Sequence, residues 1–225
     1  MKDPLVSVIL AVYNGENFLG QALESVLNQS FQNFEVLIVD DGSTDKTAEV
    51  AEPYLKQPNI KYIHQINGGH AEALNTGVFN AHGKFLAFID HDDLWGLRKL
   101  QKQMDVFTLN PDLDVVFTYS KNFTENIHAE KLIFQQEAME GYTTGTMLIR
   151  ISAFLKVGYF DTDLRKGYFF PWFDHLKILG LKQYLLPELL YHRRIHGQNI
   201  SIGRNTNDYK DYFLAIRKIR AQREQ

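Results

Sequence analysis

The sequence contains no cysteine. Disulfides, thiolate metal sites and a cysteine nucleophile are thereby excluded. A thiol-free chain suits a reducing compartment without requiring one. Long apolar runs are missing as well: no stretch approaches the ~20 residues that a membrane-spanning helix needs. The opening residues, Met1-Lys2-Asp3-Pro4-Leu5, run straight into a strand without the apolar core of a signal peptide. The expectation is a protein of the cytoplasm, or one lying against the cytoplasmic face of a membrane. Charge of one sign is not in excess either. A formal net charge of -3 argues against bulk electrostatic binding to nucleic acid. No Gly-x-Gly-x-x-Gly follows the first strand, so a Rossmann dehydrogenase is excluded. The Asn-x-Ser/Thr triplets at Asn28, Asn122 and Asn199 are read as chance.

What is present is a chain of 225 residues, 44% of them hydrophobic, enough to bury a full core. Strand and helix signals alternate over the first hundred residues. Val6 to Val12, Phe34 to Val39, Ile60 to His64 and Phe85 to Ile89 are apolar, β-rich runs. Between them, helical spacing covers Glu16 to Gln29, Ser43 to about Leu55 and Ala71 to Ala81. This βαβαβαβ order predicts an α/β fold with a doubly wound, mostly parallel central sheet flanked by helices.

The most informative stretch is Asp90-His91-Asp92-Asp93. It follows the buried run Phe85 to Ile89 and precedes Leu94 to Leu100, which reads as the start of a helix. Three carboxylates and an imidazole therefore sit where a central strand leaves the sheet, the end at which open α/β sheets bind ligands. Like charges so close repel unless a cation or ligand dipoles neutralise them. Hard oxygen donors suit Mg²⁺ or Mn²⁺, ions that also hold substrate phosphates. The simpler alternative is that Asp92 or Asp93 only caps the next helix.

Beyond Leu109 the pattern is less regular. Val115 to Tyr119 and Thr146 to Ile149 read as strands, with polar residues between them. Helices are expected at Ser152 to Val157 and Pro171 to Leu179, and strands at Gln183 to Leu186 and Leu189 to Arg193. Asn207 to Arg220 is an amphipathic terminal helix, with Tyr209, Tyr212, Phe213, Ile216 and Ile219 on one face. Arg217, Lys218, Arg220 and Arg223 lie on the other face, which could meet anionic lipid.

Four blocks of the chain together resemble a family 2 glycosyltransferase of the GT-A fold. The first is Val6 to Asn14, with Phe18-Leu19 and Ser25 to Phe31. The second is Glu35 to Asp45, containing Asp40-Asp41-Gly42-Ser43. The third is Ala73-Leu74-Asn75-Thr76-Gly77, then Gly83-Lys84-Phe85 leading into the acidic cluster. The fourth is Val157 to Asp161, Leu186-Pro187-Glu188 and Arg193 to Ser201. The resemblance implies one GT-A domain over 1–225. Residues 1–100 would bind a nucleotide sugar, 101–205 an acceptor, and 206–225 would form the terminal helix.

It further implies transfer of a sugar from a nucleotide diphosphate sugar, foremost a UDP-sugar, to a glycan or lipid-linked acceptor. The transfer would invert the anomeric centre and serve polysaccharide or cell-envelope glycan synthesis. Ala11, Tyr13, Asn14, Glu16, Asp40, Asp41, Asp90 and Asp92 would contact the donor. In similar enzymes the carboxylate at Asp41 accepts a hydrogen bond from the base, which suits a uracil-type N–H. Asp90-x-Asp92 corresponds to the DxD motif. Asp92, Asp93 and His196 would hold Mn²⁺ or Mg²⁺, which neutralises charge on the leaving diphosphate.

The catalytic base is where the match thins. Counting back from Gly180, the expected acid falls near Phe169 or Pro171, neither of which accepts a proton. Asp174 is the nearest carboxylate, one helical turn on, and is the candidate base. His175 stands where many relatives have Arg. Asp161 and Asp163 read as a structural turn. Other enzyme classes fit less well. A haloacid-type phosphotransferase would carry its DxD after the first strand, and a nucleotidyltransferase would need a Gly-rich, Arg-containing loop there. The non-enzymatic alternative is a transferase-like protein that binds a nucleotide sugar but lacks a working base.

Overall fold

The computed structural model describes residues 4–125, 137–196, 199 and 206–223. Gly197, Gln198, Ile200 and Ser201 of the fourth block lie outside the described residues, as do 126–136. The first half follows the expected order. It comprises β1 (Val6–Val12), α1 (Leu19–Leu27), β2 (Phe34–Asp40), α2 (Thr47–Ala51), β3 (Ile60–His64), α3 (His70–Phe79) and β4 (Phe85–Asp90). The second half comprises β5 (Leu94–Trp95), α4 (Lys99–Leu109), β6 (Val115–Phe123), β7 (Met139–Gly141), β8 (Leu148–Arg150) and α5 (Ile151–Val157). It ends with α6 (Phe169–Ile178), β9 (Gln183–Arg194) and α7 (Thr206–Arg223).

Among the described residues the strands form one sheet in the order β3-β2-β1-β4-β8-β6-β9-β5, with β7 paired to β6. β3, β2, β1 and β4 are parallel, and β8 runs antiparallel to β4. Helices cover both faces, so the inner strands are mostly apolar rather than alternating with polar residues, and the buried Ser7 of β1 donates to Glu35 of β2. In β1, Val6, Val8, Leu10 and Val12 pack on one side with Leu23 and Val26 of α1 and Leu100 of α4. Ile9 and Ala11 pack on the other with Leu74 and Val78 of α3. Gly77 lets α3 lie close to β1, because a Cβ there would collide with the Ile9 side chain.

Three sequence expectations need correction. Leu94-Trp95 does not begin a helix. It pairs with His192 and Tyr191 of β9 as a two-residue strand, and α4 starts only at Lys99. The helix expected from Ser43 to Leu55 is α2 followed by a 3₁₀ turn from Glu52 to Lys56, with Pro53 early in that turn. The two strands expected between Gln183 and Arg193 are a single strand, β9. Its pairing with β6 jumps from Leu186 to Leu189. Pro187 lacks an N–H for the ladder, and the bulge absorbs it.

The terminal helix is turned differently from expectation. Ala215 is buried and Leu214 packs on the core, whereas Phe213 and Ile216 are exposed. Lys218 pairs with Asp161, and Arg223 with Asp174. Two of the four cations expected on the free face thus fix α7 to the rest of the fold. The side chains of Tyr209 and Tyr212 lie outside the described part.

Candidate active site

β1 lies between β2 and β4, and its neighbours are reached by chain connections that run in opposite directions. That is a topological switch point, where the loops at the carboxyl ends part and leave a crevice. Register sets its floor. Ala11 of β1 is level with Asp90 of β4, and Val12 with Asp40 of β2. Ala11, Asp40 and Asp90 therefore lie together at the carboxyl end of the central strands.

Each carboxylate of the acidic cluster has its own anchors. Asp90 Oδ1 lies 3.0 Å from His70 Nε2. Asp92 Oδ2 lies 2.9 Å from His196 Nε2 and accepts a hydrogen bond from Asn199 Nδ2 at 3.1 Å. Asp93 is buried and accepts from Tyr191 Oη at 2.5 Å and from the Arg194 backbone N–H at 2.7 Å. Arg194 also donates from Nε to the Asp92 carbonyl and is itself almost wholly buried.

The electrostatics follow. Burial, with Asp92 and Asp90 adding to it, pushes the Asp93 carboxyl well above its ordinary pKa. Burial also works against charge on Asp90, but the facing His70 outweighs it and holds that carboxyl below the ordinary value. For His70, burial opposes protonation, yet the attraction of Asp90 raises its pKa. His91 is pulled the other way, chiefly by burial.

One oxygen from each of Asp90, Asp92 and Asp93 falls within 4.8 Å of the others. Hard oxygens at this spacing fit Mg²⁺ or Mn²⁺. Asp90 and Asp92 are the better fit, since both oxygens of Asp93 already accept hydrogen bonds.

The β1 side of the crevice is a knot of short contacts. Tyr13 is half-exposed, and Asn14 adopts a left-handed φ of 51°. Asn14 Oδ1 accepts from Thr44 N–H at 2.8 Å, and Glu16 Oε2 from Lys46 N–H at 3.0 Å. Asp40 accepts from Ser43 N–H at 2.8 Å and from the Tyr62 hydroxyl. These donors overcome the opposing effect of burial and lower its pKa. Asp41, offered by resemblance as the acceptor for the base, is hydrogen-bonded as extensively as Asp40. Its Oδ1 accepts from Gln65 Nε2 and Gly68 N–H, and its Oδ2 from Gly69 N–H, each at 2.8 Å. Asp41 therefore holds the turn that begins α3.

Asp174 stands apart from these contacts in its bonding. Arg223 of α7 donates to its two oxygens, Nη2 to Oδ1 at 2.5 Å and Nε to Oδ2 at 3.1 Å. This forked contact lowers the Asp174 pKa. A general base works best with a pKa near the working pH, so the geometry moves Asp174 away from that task. Asp161 makes the expected turn, accepting from Asp163 N–H at 3.0 Å.

The model of the family described as Glycosyl transferase family 2 matches residues 7–165, most of the chain. This chain belongs to glycosyl transferase family 2. It is 32% identical over 210 residues to an uncharacterized glycosyltransferase of Rickettsia typhi, covering 86% of this chain and 65% of the relative. A second, from Rickettsia prowazekii, is 30% identical, covering 96% and 72%. The chain thus spans about two thirds of the length of these curated relatives. Its fold is that of S. aureus TarS residues 1–349, with a TM-score of 0.76 at 22% identity over 96% of this chain and 64% of TarS. A mannosyltransferase from Pyrobaculum calidifontis, solved with GDP-Man and Mn²⁺, has a TM-score of 0.67 at 17% identity, covering 99% of this chain and 74% of that one.

For this family 2 chain the sequence missed His70, Tyr168, Tyr191 and Asn199. Of these, Asn199 and Tyr191 stand beside His196 or opposite Leu94-Trp95. His70 and Tyr168 carry no motif signal, and only the fold brings them to the cluster.

Proposed function

We propose that this chain transfers a sugar from a nucleotide diphosphate sugar, UDP-linked foremost, to a glycan or lipid-linked acceptor. The observation that carries the reading is the pair Asp90 and Asp92 at the switch point, each oriented by an imidazole. TarS has been solved with UDP-GlcNAc and the mannosyltransferase with GDP-Man, which supports a donor of this class. Residues 1–100 would form the donor half, with Tyr13 and Asp41 at the base, Asp40 nearby, and Ala11, Asn14 and Glu16 lining the approach. Residues 101–205 would receive the acceptor, and 206–225 form the terminal helix. Work on a lipid-linked acceptor would place the protein in the cytoplasm or at the cytoplasmic membrane face. No helix among the described residues is long and apolar enough to cross a membrane.

Asp90 and Asp92, with His196 beside them, would hold Mn²⁺ or Mg²⁺, which supplies Lewis-acid neutralisation of the departing diphosphate. Asp93 would support the cluster from beneath. The acceptor hydroxyl would attack the anomeric carbon opposite the nucleotide and invert it, breaking the bond to the diphosphate, with its proton passing to Asp174, the carboxylate nearest the expected base position. A specific observation favours a second reading, a nucleotide-sugar binder without transfer. The start of α6 offers Phe169 and Pro171 where an acid is expected, and Asp174 is committed to Arg223.

Calorimetry with UDP and an assay of UDP-GlcNAc turnover test both readings. UDP should bind with Mn²⁺ and lose its affinity in EDTA or in Asp92→Ala. Binding that is equal under all these conditions would overturn the metal-dependent donor site. Binding without turnover on any glycan or lipid-linked acceptor selects the second reading.

A further inference from the structure

A chain of contacts runs from the start of α6 to the acidic cluster. The Tyr168 hydroxyl is 2.7 Å from His70 Nδ1, and His70 Nε2 is 3.0 Å from Asp90 Oδ1. We propose that His70 is a positioning residue for the donor site, holding Asp90 in the orientation that meets the nucleotide diphosphate, with Tyr168 locking the imidazole. The proposal rests on the donor-binding reading above.

The backbone is arranged to put His70 there. Gly69 precedes α3 with φ 94°, a conformation that side chains other than glycine's rarely take. Asp41 grips the Gly68 and Gly69 N–H groups and so fixes the first residue of α3 relative to β2. His70 then reaches across the end of β1 toward Asp90. The Tyr168 ring is wedged against Phe160 at 5.2 Å between centroids and against His70 at 5.7 Å. Both ring nitrogens of His70 are thus engaged, and the side chain is only 23% exposed.

The direction of the key hydrogen bond does not depend on protonation. If Tyr168 donates to Nδ1, the imidazole is neutral and its proton sits on Nε2, facing Asp90. If the ring is charged, Nδ1–H donates to the Tyr168 oxygen and Nε2–H still donates to Asp90. In either state His70 occupies one oxygen of Asp90, and among the described residues the other is left for the donor. Such a partner behind a ligand-binding carboxylate fixes its rotamer, and its loss usually weakens binding without unfolding the protein. Since Tyr168 sits at the N-terminal end of α6, the same contacts tie the acceptor half to the donor half.

The test compares wild type, His70→Ala, His70→Gln and Tyr168→Phe. UDP affinity is measured by calorimetry in MnCl₂, and melting temperature without ligand. His70→Ala should weaken UDP binding by ~10- to 100-fold, the usual loss for such a partner. Its melting temperature should stay close to wild type. Glutamine can still donate to Asp90, so His70→Gln should recover most of the affinity. Tyr168→Phe should lose less than His70→Ala. Wild-type affinity in His70→Ala overturns the proposal. So does a loss in His70→Gln as large as in His70→Ala, accompanied by the same fall in melting temperature, because that pattern is purely structural. A wild type that binds no UDP rejects the donor site itself and the positioning role with it, which separates the two failures.

Discussion

Lys99 shows at the residue scale how much burial alone can do. Its side chain is fully buried, with Nζ 3.0 Å from Gln103 Oε1 and 4.3 Å from the centre of the Trp95 ring. Among the described residues no carboxylate is paired with it, and burial lowers its pKa from 10.5 to about 7. The folded state therefore binds fewer protons than the unfolded state between about pH 7 and 10.5, so stability rises with pH across that window. Below it both states are protonated, and the full penalty of a buried charge remains. Lys99→Met should raise the midpoint of urea unfolding at pH 6.5 and flatten its rise toward pH 10. Each unit of the wild-type shift corresponds to ~1.4 kcal/mol, so the difference is large enough to measure. An unchanged pH slope in the variant would refute this assignment. Lys99 was not legible as special, since a lysine at the start of a helix normally reads as solvated. Asp90 and Asp92 were legible because carboxylates directly after a buried strand have few other uses. His70 was not visible at all, and Asp41 only half-visible: it stood in a recognisable motif, but its grip on Gly68 and Gly69 exists only in three dimensions.

At the scale of elements, legibility followed strand type. Parallel strands covered on both faces leave continuous apolar runs, so β1 to β4 stood out within a residue or so. β5 has two residues, too few for any periodicity, so in sequence it merges with the helix that follows. β9 was cut in two by Pro187, which removes one N–H without ending the strand. The terminal helix was found but rotated, because its pattern was read as an isolated amphipath while the fold selects the face bearing Lys218 and Arg223. That face gives Asp174 two separable roles. If Asp174 is a tether, Arg223→Ala should speed hydrogen exchange and proteolysis in 206–223 and leave transfer of sugar from UDP-GlcNAc unchanged. If it is the base, releasing it should raise its pKa and alter the pH profile of transfer. Asp174→Asn would then cut the rate ~10²-fold or more. Loss of α7 protection without loss of rate in both variants would leave the tether as its only role.

For the whole molecule, donor binding should register as stability. A ligand bound only by the folded state, at a hundredfold excess over its Kd, adds ~2.7 kcal/mol. UDP-GlcNAc with Mn²⁺ should therefore raise the melting temperature, EDTA should abolish the rise, and Asp92→Ala should show none. A shift that persists in EDTA would move the donor away from the acidic cluster. The register of the sheet carries one more consequence. With β1 between them, the backbones at Asp40 and Asp90 stand roughly 10 Å apart, two inter-strand spacings. If the proposed base site beyond β2 and the acidic cluster beyond β4 both take part, the crevice is a ruler with a grip at each end, which a nucleotide would close as a chelate. Uridine alone or Mn²⁺-pyrophosphate alone would then engage a single grip, whereas UDP would make its second contact intramolecularly at high effective concentration. Affinity should thus depend on the covalent bond between nucleoside and diphosphate more than on either fragment, and a mixture of the two fragments should not reproduce it.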